Sequence, residues 1–385
     1  MEAESVRFSN LISNIHIGKV NIITGNNGTG KSRFFGMATK KIIDAIKLSR
    51  SPFHQVICLS GTHNDKFPRE VWQASKYENT ICYLGYKVAN NMISDIAPFR
   101  VIVSEMLKAQ ILQRTQYEAL SFCLQQLNIA PEIKLHFRYG KNKKSGISEF
   151  VSNEISLDLF SMQADIDIHA VRNAIEEKSL SLQTISIKRG GDFFSLSDLS
   201  SGERAYMVAL LGALYCTKAE SLIFFDEPEN SLHPGWQKSI LRDMRQVLAL
   251  QDLRTTILVA THSPLIAGSI QNQDAVTCNF PSSQNWSLSD LFGKTSDTTL
   301  KDQFNIFSSR STNVVRLTQK CLNYIAKGDL VSSELHTSIE QLLALNLEPE
   351  PGDPMRNILK TLSYVKDHHD LPRSTAQNPR ENSKI

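Results

Sequence analysis

Eight residues, Gly25-Asn26-Asn27-Gly28-Thr29-Gly30-Lys31-Ser32, put three glycines, a lysine and a hydroxyl at the spacing that polyphosphate chemistry requires. Lys19 to Thr24, just ahead of them, carries Val20, Ile22 and Ile23 and reads as a largely buried strand; a helix is expected from Lys31 to about Leu48. Glycines in such a loop let the backbone turn tightly and aim successive N–H groups at phosphate oxygens, and the helix start adds a favourable dipole. Lys31 would bring a point charge to the outer phosphates, and the Ser32 hydroxyl would ligate Mg²⁺. Gly25 through Ser32, with the adjoining Arg33, are the expected contacts of a nucleoside triphosphate.

Two further strands end in residues of the right type to act on that ligand. Ser221 to Phe225 is a short apolar run of the kind buried in a parallel sheet, and it ends in Asp226 and Glu227. Ligands of open α/β sheets bind at the carboxyl ends of the strands. Asp226 would hold Mg²⁺ there, directly or through water, and Glu227 would polarise the attacking water as general base. Thr255 to Ala260 is a β-rich run that ends at Thr261-His262-Ser263. Leu196 to Glu203 leads into a mostly buried helical pattern from Glu203 to Thr217. Ser200 and Ser201 then fall at a helix N-terminus, where hydroxyls and free N–H groups serve either as an ordinary cap or as a grip on an anion.

In their order along the chain these motifs resemble those of ABC-type ATPases. Leu199-Ser200-Ser201-Gly202-Glu203 is similar to the signature motif, and Asp226-Glu227-Pro228 to the Walker B acids. Asn230 to Pro234 is similar to the D-loop, and Val259 to Ser263 to the H-loop. Ser-Ser-Gly-Glu-Arg and Asp-Glu-Pro-Glu-Asn-Ser-Leu-His-Pro are unlike the usual transporter forms and are similar to the SMC-like branch, most closely to OLD-type ATPases. The resemblance covers about Val6 to Phe280 and is residue-specific only at the five motifs. It implies ATP and Mg²⁺ bound between two copies of the chain. Ser200, Ser201, Gly202 and Glu203 of one copy would close on the γ-phosphate held by the other, His262 would contact that phosphate, and hydrolysis would give ADP and phosphate. It further implies bacterial anti-phage defence, with the ATPase as sensor or switch for a separately encoded effector, a nuclease or toxin. The nuclease is placed on another chain because OLD nucleases continue into a TOPRIM domain, which needs an Asp-x-Asp pair, and none follows His262. An ATP-bound scaffold that sequesters an effector with little turnover, and a RecF-like DNA repair ATPase, remain as alternatives.

The elements that must position these residues fit an α/β fold: an ABC-type P-loop head with a mixed sheet, a helical insertion and a helical C-terminal appendage. At 385 residues there is room for all three. The expected order is a first part of the head over 1–70, a mainly helical insertion over 71–180, a second part of the head over 181–281, a helical appendage over 282–371 and a disordered tail over 372–385. Within it, Gln55 to Leu59, Ile133 to Arg138, Leu182 to Lys188 and Asp274 to Phe280 read as strands. Val101 to Leu127, Ile166 to Glu177, Leu300 to Phe307, Val314 to Ile325, Glu334 to Leu345 and Met355 to Val365 read as helices. Gly61 to Pro68 is a polar loop where ABC proteins carry the Q-loop; it has no glutamine, leaving Asn64 or Asp65 to serve.

Composition excludes some classes. The longest apolar run, Met207 to Cys216, is far short of a bilayer span, so no membrane partner is expected. The N-terminus has no signal-peptide profile. Six cysteines are scattered without a CxxC pair, which reads as reduced thiols in a cytoplasmic protein. A net charge of +3 neither demands nor excludes nucleic acid. The basic cluster Arg138 to Lys144 reads as a solvated hairpin loop or as a phosphate-backbone contact. Asp165-Ile166-Asp167 reads as an acidic helix start, and Asp367-His368-His369-Asp370 has no evident partner ligands for a metal.

Overall fold

The computed structural model describes residues 2–74, 80–90, 92–109, 112–139, 153–164, 166–304, 310–349 and 353–367. The chain forms two units, Met1–Asn305 and Ile306–Ile385. Lys141, Lys143, Lys144, Asp165, Phe307, His368, His369, Asp370 and the tail from 372 lie outside the described residues.

The larger unit is built on a sheet of six parallel strands with an antiparallel edge. The parallel strands are β1 (Val20–Thr24), β2 (Gln55–Ser60), β3 (Ile81–Leu84), β11 (Ser221–Asp226), β12 (Thr256–Thr261) and β13 (Ala275–Asn279); β14 (Ser287–Leu288) is the antiparallel edge. Their order across the sheet is β14-β13-β1-β12-β11-β2-β3. Every residue of β1, β2, β11 and β12 is buried, which explains why their sequences are continuous apolar runs rather than alternating ones. One face is covered by α1 (Glu2–Ser13) and α2 (Lys31–Lys47), whose Phe8, Leu11, Phe34 and Phe35 pack with Ile23, Phe224 and Leu258. The opposite face takes Ile22, Ile57, Ile223 and Val259 into a core shared with α4 (Ala97–Met106), α5 (Arg114–Leu127), α7 (Ser201–Tyr215) and α8 (Pro234–Leu250). The register aligns the strand ends: Thr24 lies beside Thr261, and Asp226 beside Ala260 and Ser60. The phosphate-loop strand, the histidine strand and the acidic strand are therefore adjacent and finish at one edge.

Among the described residues, the stretch 71–180 is not mainly helical. β3 belongs to the parallel sheet, β4 (Lys87–Ala89) and β5 (Met92–Ile93) form a ribbon, and β6 (Glu132–Tyr139), β7 (Glu154–Asp158) and β8 (Gln163–Ala164) join β9 (Leu180–Arg189) and β10 (Asp192–Ser195) in an antiparallel sheet ordered β10-β9-β6-β7-β8. In β6, Ile133, Leu135 and Phe137 are buried between partly exposed neighbours, the alternation of a half-covered sheet. The short helices α3 (Arg69–Ala74) and α6 (Ile168–Glu176) flank these strands. The single helix expected over Val101 to Leu127 is two, α4 and α5; Gln116 Oε1 accepts from the Gln113 N–H at 3.1 Å and starts the second.

The helical appendage begins later than residue 282. β14 pairs with β13, Trp286 Nε1 donates to Leu11 O at 3.0 Å, and Gln303, on α10 (Ser296–Phe304), accepts from Thr24 Oγ1 at 2.7 Å. These contacts tie 282–304 to the larger unit, together with the short α9 (Pro264–Ala267). The smaller unit is α11 (Thr312–Ala326), α12 (Ser333–Leu343) and α13 (Pro354–Asp367), closed on Leu317, Cys321, Leu335, Ile339, Leu342 and Leu362. Among the described residues no helix is long and apolar enough to cross a membrane. All six cysteines are buried.

Candidate nucleotide site

β1 delivers the chain into the phosphate loop, and α2 starts at Lys31 after Gly30, which adopts a left-handed conformation with φ 99°. Asn26, Asn27 and Gly28 are exposed, so the loop presents its backbone to solvent. Thr29 Oγ1 donates to Asn26 O at 2.8 Å and braces the turn. The Lys31 side chain folds across the loop, with Nζ donating to Gly25 O at 2.8 Å and Asn26 O at 2.9 Å. Lys31 is only 4% exposed. Burial pulls its pKa down, opposed by the charges of Glu227, Glu229 and Asp226. Arg33, two residues into α2, is exposed.

Across the sheet edge, Asp226 is fully buried at the end of β11. Its Oδ1 lies 3.3 Å from Ser32 Oγ, and its Oδ2 is buried with no partner. Desolvation, then the neighbouring charge of Glu227, lifts the Asp226 pKa to about 7. A buried acid with an unmatched oxygen destabilises the fold unless a ligand completes it. Ser32 and Asp226 together offer hard oxygen donors of the kind Mg²⁺ takes, and the unmatched Oδ2 fits that ion. Glu227 follows with φ 50°, an unusual conformation for a residue with a side chain. Its N–H donates to Ala260 O at 2.9 Å, and Asn230 Nδ2 donates to its Oε2 at 3.0 Å. Gly61, just after β2, donates to Asp226 O at 2.8 Å, and a Cβ on it would sit 2.0 Å from Glu227 O. Only glycine lets that loop pass so close to the acids.

Sequence reasoning missed one residue of this site, Glu229. It is 6% exposed and stands where the chain crosses the end of β12. Its Oε2 accepts from Thr261 Oγ1 at 2.8 Å, its Oε1 accepts from the His262 N–H at 2.5 Å, and the same oxygen lies 2.8 Å from His262 Nδ1. Hydrogen bonding to Glu229 raises the His262 pKa above 6.5, with desolvation and Lys31 opposing. A glutamate so soon after two acids reads as one more solvated turn residue. What marked it was position alone, three residues past a buried strand, with an adjacent strand to bury against.

The signature segment is organised differently. Ser200 caps α7 and Glu203 answers it: the Glu203 N–H donates to Ser200 Oγ at 3.2 Å and the Ser200 N–H to Glu203 Oε2 at 2.9 Å. Arg189 at the end of β9 holds the other Glu203 oxygen at 2.6 Å. The ordinary cap therefore exists within the chain, while both serines are exposed. Gly202 is buried against the D-loop, where a Cβ would come 2.4 Å from Ser231 O. His233 caps α8 by accepting from the Gly235 N–H at 3.2 Å. At the Q-loop position Asp65 is committed elsewhere: it is buried and accepts from Tyr83 OH at 2.7 Å and pairs with Lys87 at 3.1 Å. It is structural and not the residue expected to reach the nucleotide. Asn64 is exposed.

The fold and this site support an ABC/AAA-type P-loop ATPase. Residues 132–268 match the family described as "AAA domain, putative AbiEii toxin, Type IV TA system". That match runs from β6 to α9, taking in the signature, acidic and histidine segments but not the phosphate loop. Among curated proteins none matches the sequence. The chain is similar to Stu0660 of Streptococcus thermophilus, at 11% identity over 95% of this chain and 93% of that one, with a TM-score of 0.34. An SMC head bound to the C-winged helix domain of ScpA is similar at 10% identity, over 68% and 87%, with a TM-score of 0.29. The archaeal ribosome recycling factor aABCE1, solved with the stalk protein aP1, is similar at 14% identity, over 68% of this chain and only 36% of that one, with a TM-score of 0.30.

Proposed function

We propose that the chain binds ATP with Mg²⁺ at this site and hydrolyses it when two copies close around the nucleotide. The observation that carries the reading is the gathering of Lys31, Ser32, Asp226, Glu227 and His262 at the carboxyl edge of three adjacent parallel strands. Ser32 and Asp226 would hold Mg²⁺, which when bound neutralises charge on the phosphate oxygens. Lys31 would exchange two carbonyl acceptors of its own loop for phosphate oxygens. Glu227, its carboxylate steadied by Asn230, would take the proton of the attacking water. His262 would donate to the γ-phosphate. The exposed start of α7, with Ser200 and Ser201, would complete the site held by the other copy. Steady-state phosphate release by the purified chain tests this: turnover that depends on Mg²⁺ and is lost in Glu227→Gln supports it, and turnover unchanged in that variant overturns it.

In this reading the ATPase is a switch for a separately encoded effector, a nuclease or toxin, in bacterial anti-phage defence. The motif forms support the SMC-like and OLD-type branch, and the toxin named in the matching family's description is in keeping with a toxic partner. The same description favours a second reading, in which this chain is itself the toxic component. Co-purification of neighbouring gene products with Glu227→Gln and with Lys31→Ala, in ATP, tests the switch: effector occupancy should differ between the two. Growth arrest on expressing this chain alone would favour the second reading.

A further inference from the structure

We propose that Glu229 is a positioning residue that keeps His262 doubly protonated, so that its Nε2–H is a charged donor to the substrate. The substrate role rests on the ATPase reading above; the state of the ring does not. Geometry carries the inference. Nδ1 of His262 lies 2.8 Å from Glu229 Oε1, at ion-pair distance, which favours a proton on Nδ1. A neutral ring protonated at Nδ1 leaves Nε2 with a lone pair, which repels a phosphate oxygen. Only the imidazolium donates from both nitrogens. Glu229 is held in place to stabilise that charge: Thr261 Oγ1 and the His262 N–H both donate to it, and Ser263 Oγ donates to Gln237 Oε1 at 2.7 Å while Gln237 Nε2 reaches Leu232 O at 2.9 Å, closing the loop around it. The charged groups facing the ring are Glu229 and Glu227 after β11, which favour the cation, and Lys31 on α2, which opposes it. The Lys31 charge makes the Glu229 carboxylate necessary, since without it the ring would stand between a lysine and an incoming phosphate with no fixed state.

Glu229→Gln keeps the volume of the side chain and one acceptor oxygen, turns the other oxygen into an amide NH2, and removes the charge. The ring of His262, assigned by its loss in His262→Gln, can be titrated by NMR in the full chain without nucleotide. We expect it to lose its proton at lower pH in Glu229→Gln than in the wild type; an unchanged titration overturns the proposal. Turnover adds a second readout. Glu229→Gln should lose at least about 10-fold at about pH 8 and much less at about pH 6, where the imidazolium forms unaided. An equal loss at both values, or the same loss in a His262→Gln background, would show that Glu229 acts only as a structural brace. A wild-type chain without any turnover would sink the ATPase reading, and the ring titration would still decide this one.

Discussion

The phosphate-loop half and the signature half of the proposed site differ in where their partners lie. In the first, Lys31, Asp226 and Glu229 are buried, and Lys31 and Glu229 are held by contacts within the chain. In the second, Ser200 and Ser201 are exposed at a helix start whose own capping box is already satisfied. Buried, mutually constrained groups act on a ligand with little rearrangement, at a cost in desolvated charge. An exposed helix start offers N–H groups to whatever surface comes to it. The difference teaches that the proposed site has a buried half organised within the chain and an exposed half left facing solvent, and the proposed pairing of two copies would join them.

The largest effects should come from the buried half. Glu227→Gln should lower turnover by about 10²–10⁴-fold while ATP binding, read with a fluorescent analogue, persists. Lys31→Ala should weaken ATP by at least about 10²-fold, since two charge-assisted hydrogen bonds go, with the apo melting curve little changed; wild-type affinity would break the assignment of the phosphate loop. Mixing Lys31→Ala with Ser201→Arg, each inactive alone, should restore part of the turnover by joining two intact halves. Full activity of either variant by itself would collapse the distinction between the halves.

A smaller effect is expected on stability. The Asp226 pKa is raised to about 7 from 3.8 in the unfolded chain. The folded chain therefore binds the extra proton between those values, so stability falls as pH rises from about 4 to 7 and the full cost stands above 7. Asp226→Asn should raise apo stability above pH 7 by up to about 4 kcal/mol and leave it unchanged near pH 4, measured by denaturant unfolding. Gly202→Ala should cost about 1–3 kcal/mol by pushing α7 off the D-loop carbonyl, the one test that strains the seam between the halves.

Most of the buried half was legible in the sequence because each motif follows a short, fully buried strand, and such strands announce themselves as apolar runs. Gly25 to Ser32 and Asp226-Glu227 are read from composition and spacing. Glu229 was not, because its burial depends on β12 arriving beside it from thirty residues further on. Asp65 misled for the matching reason: its polar loop looked solvent-facing, and Tyr83 and Lys87, which bury it, come from the next strand and the ribbon after it. The antiparallel sheet was half visible. β6 alternates clearly, but β7, Glu154–Asp158, offers only Ile155 and Leu157 as apolar positions, too few to signal a strand without its neighbour. The end of the head was misplaced because β14 is two residues long and is held by pairing with β13 rather than by any pattern of its own.

Gly61 bears on how this chain tolerates change. It carries no side chain, yet any larger residue there meets the carbonyl of Glu227. A saturation library selected for activity should therefore rank position 61 with Lys31 and Asp226, and a variant that enlarges it should be rescued by nothing at the acids themselves, because what it displaces is the path of the backbone.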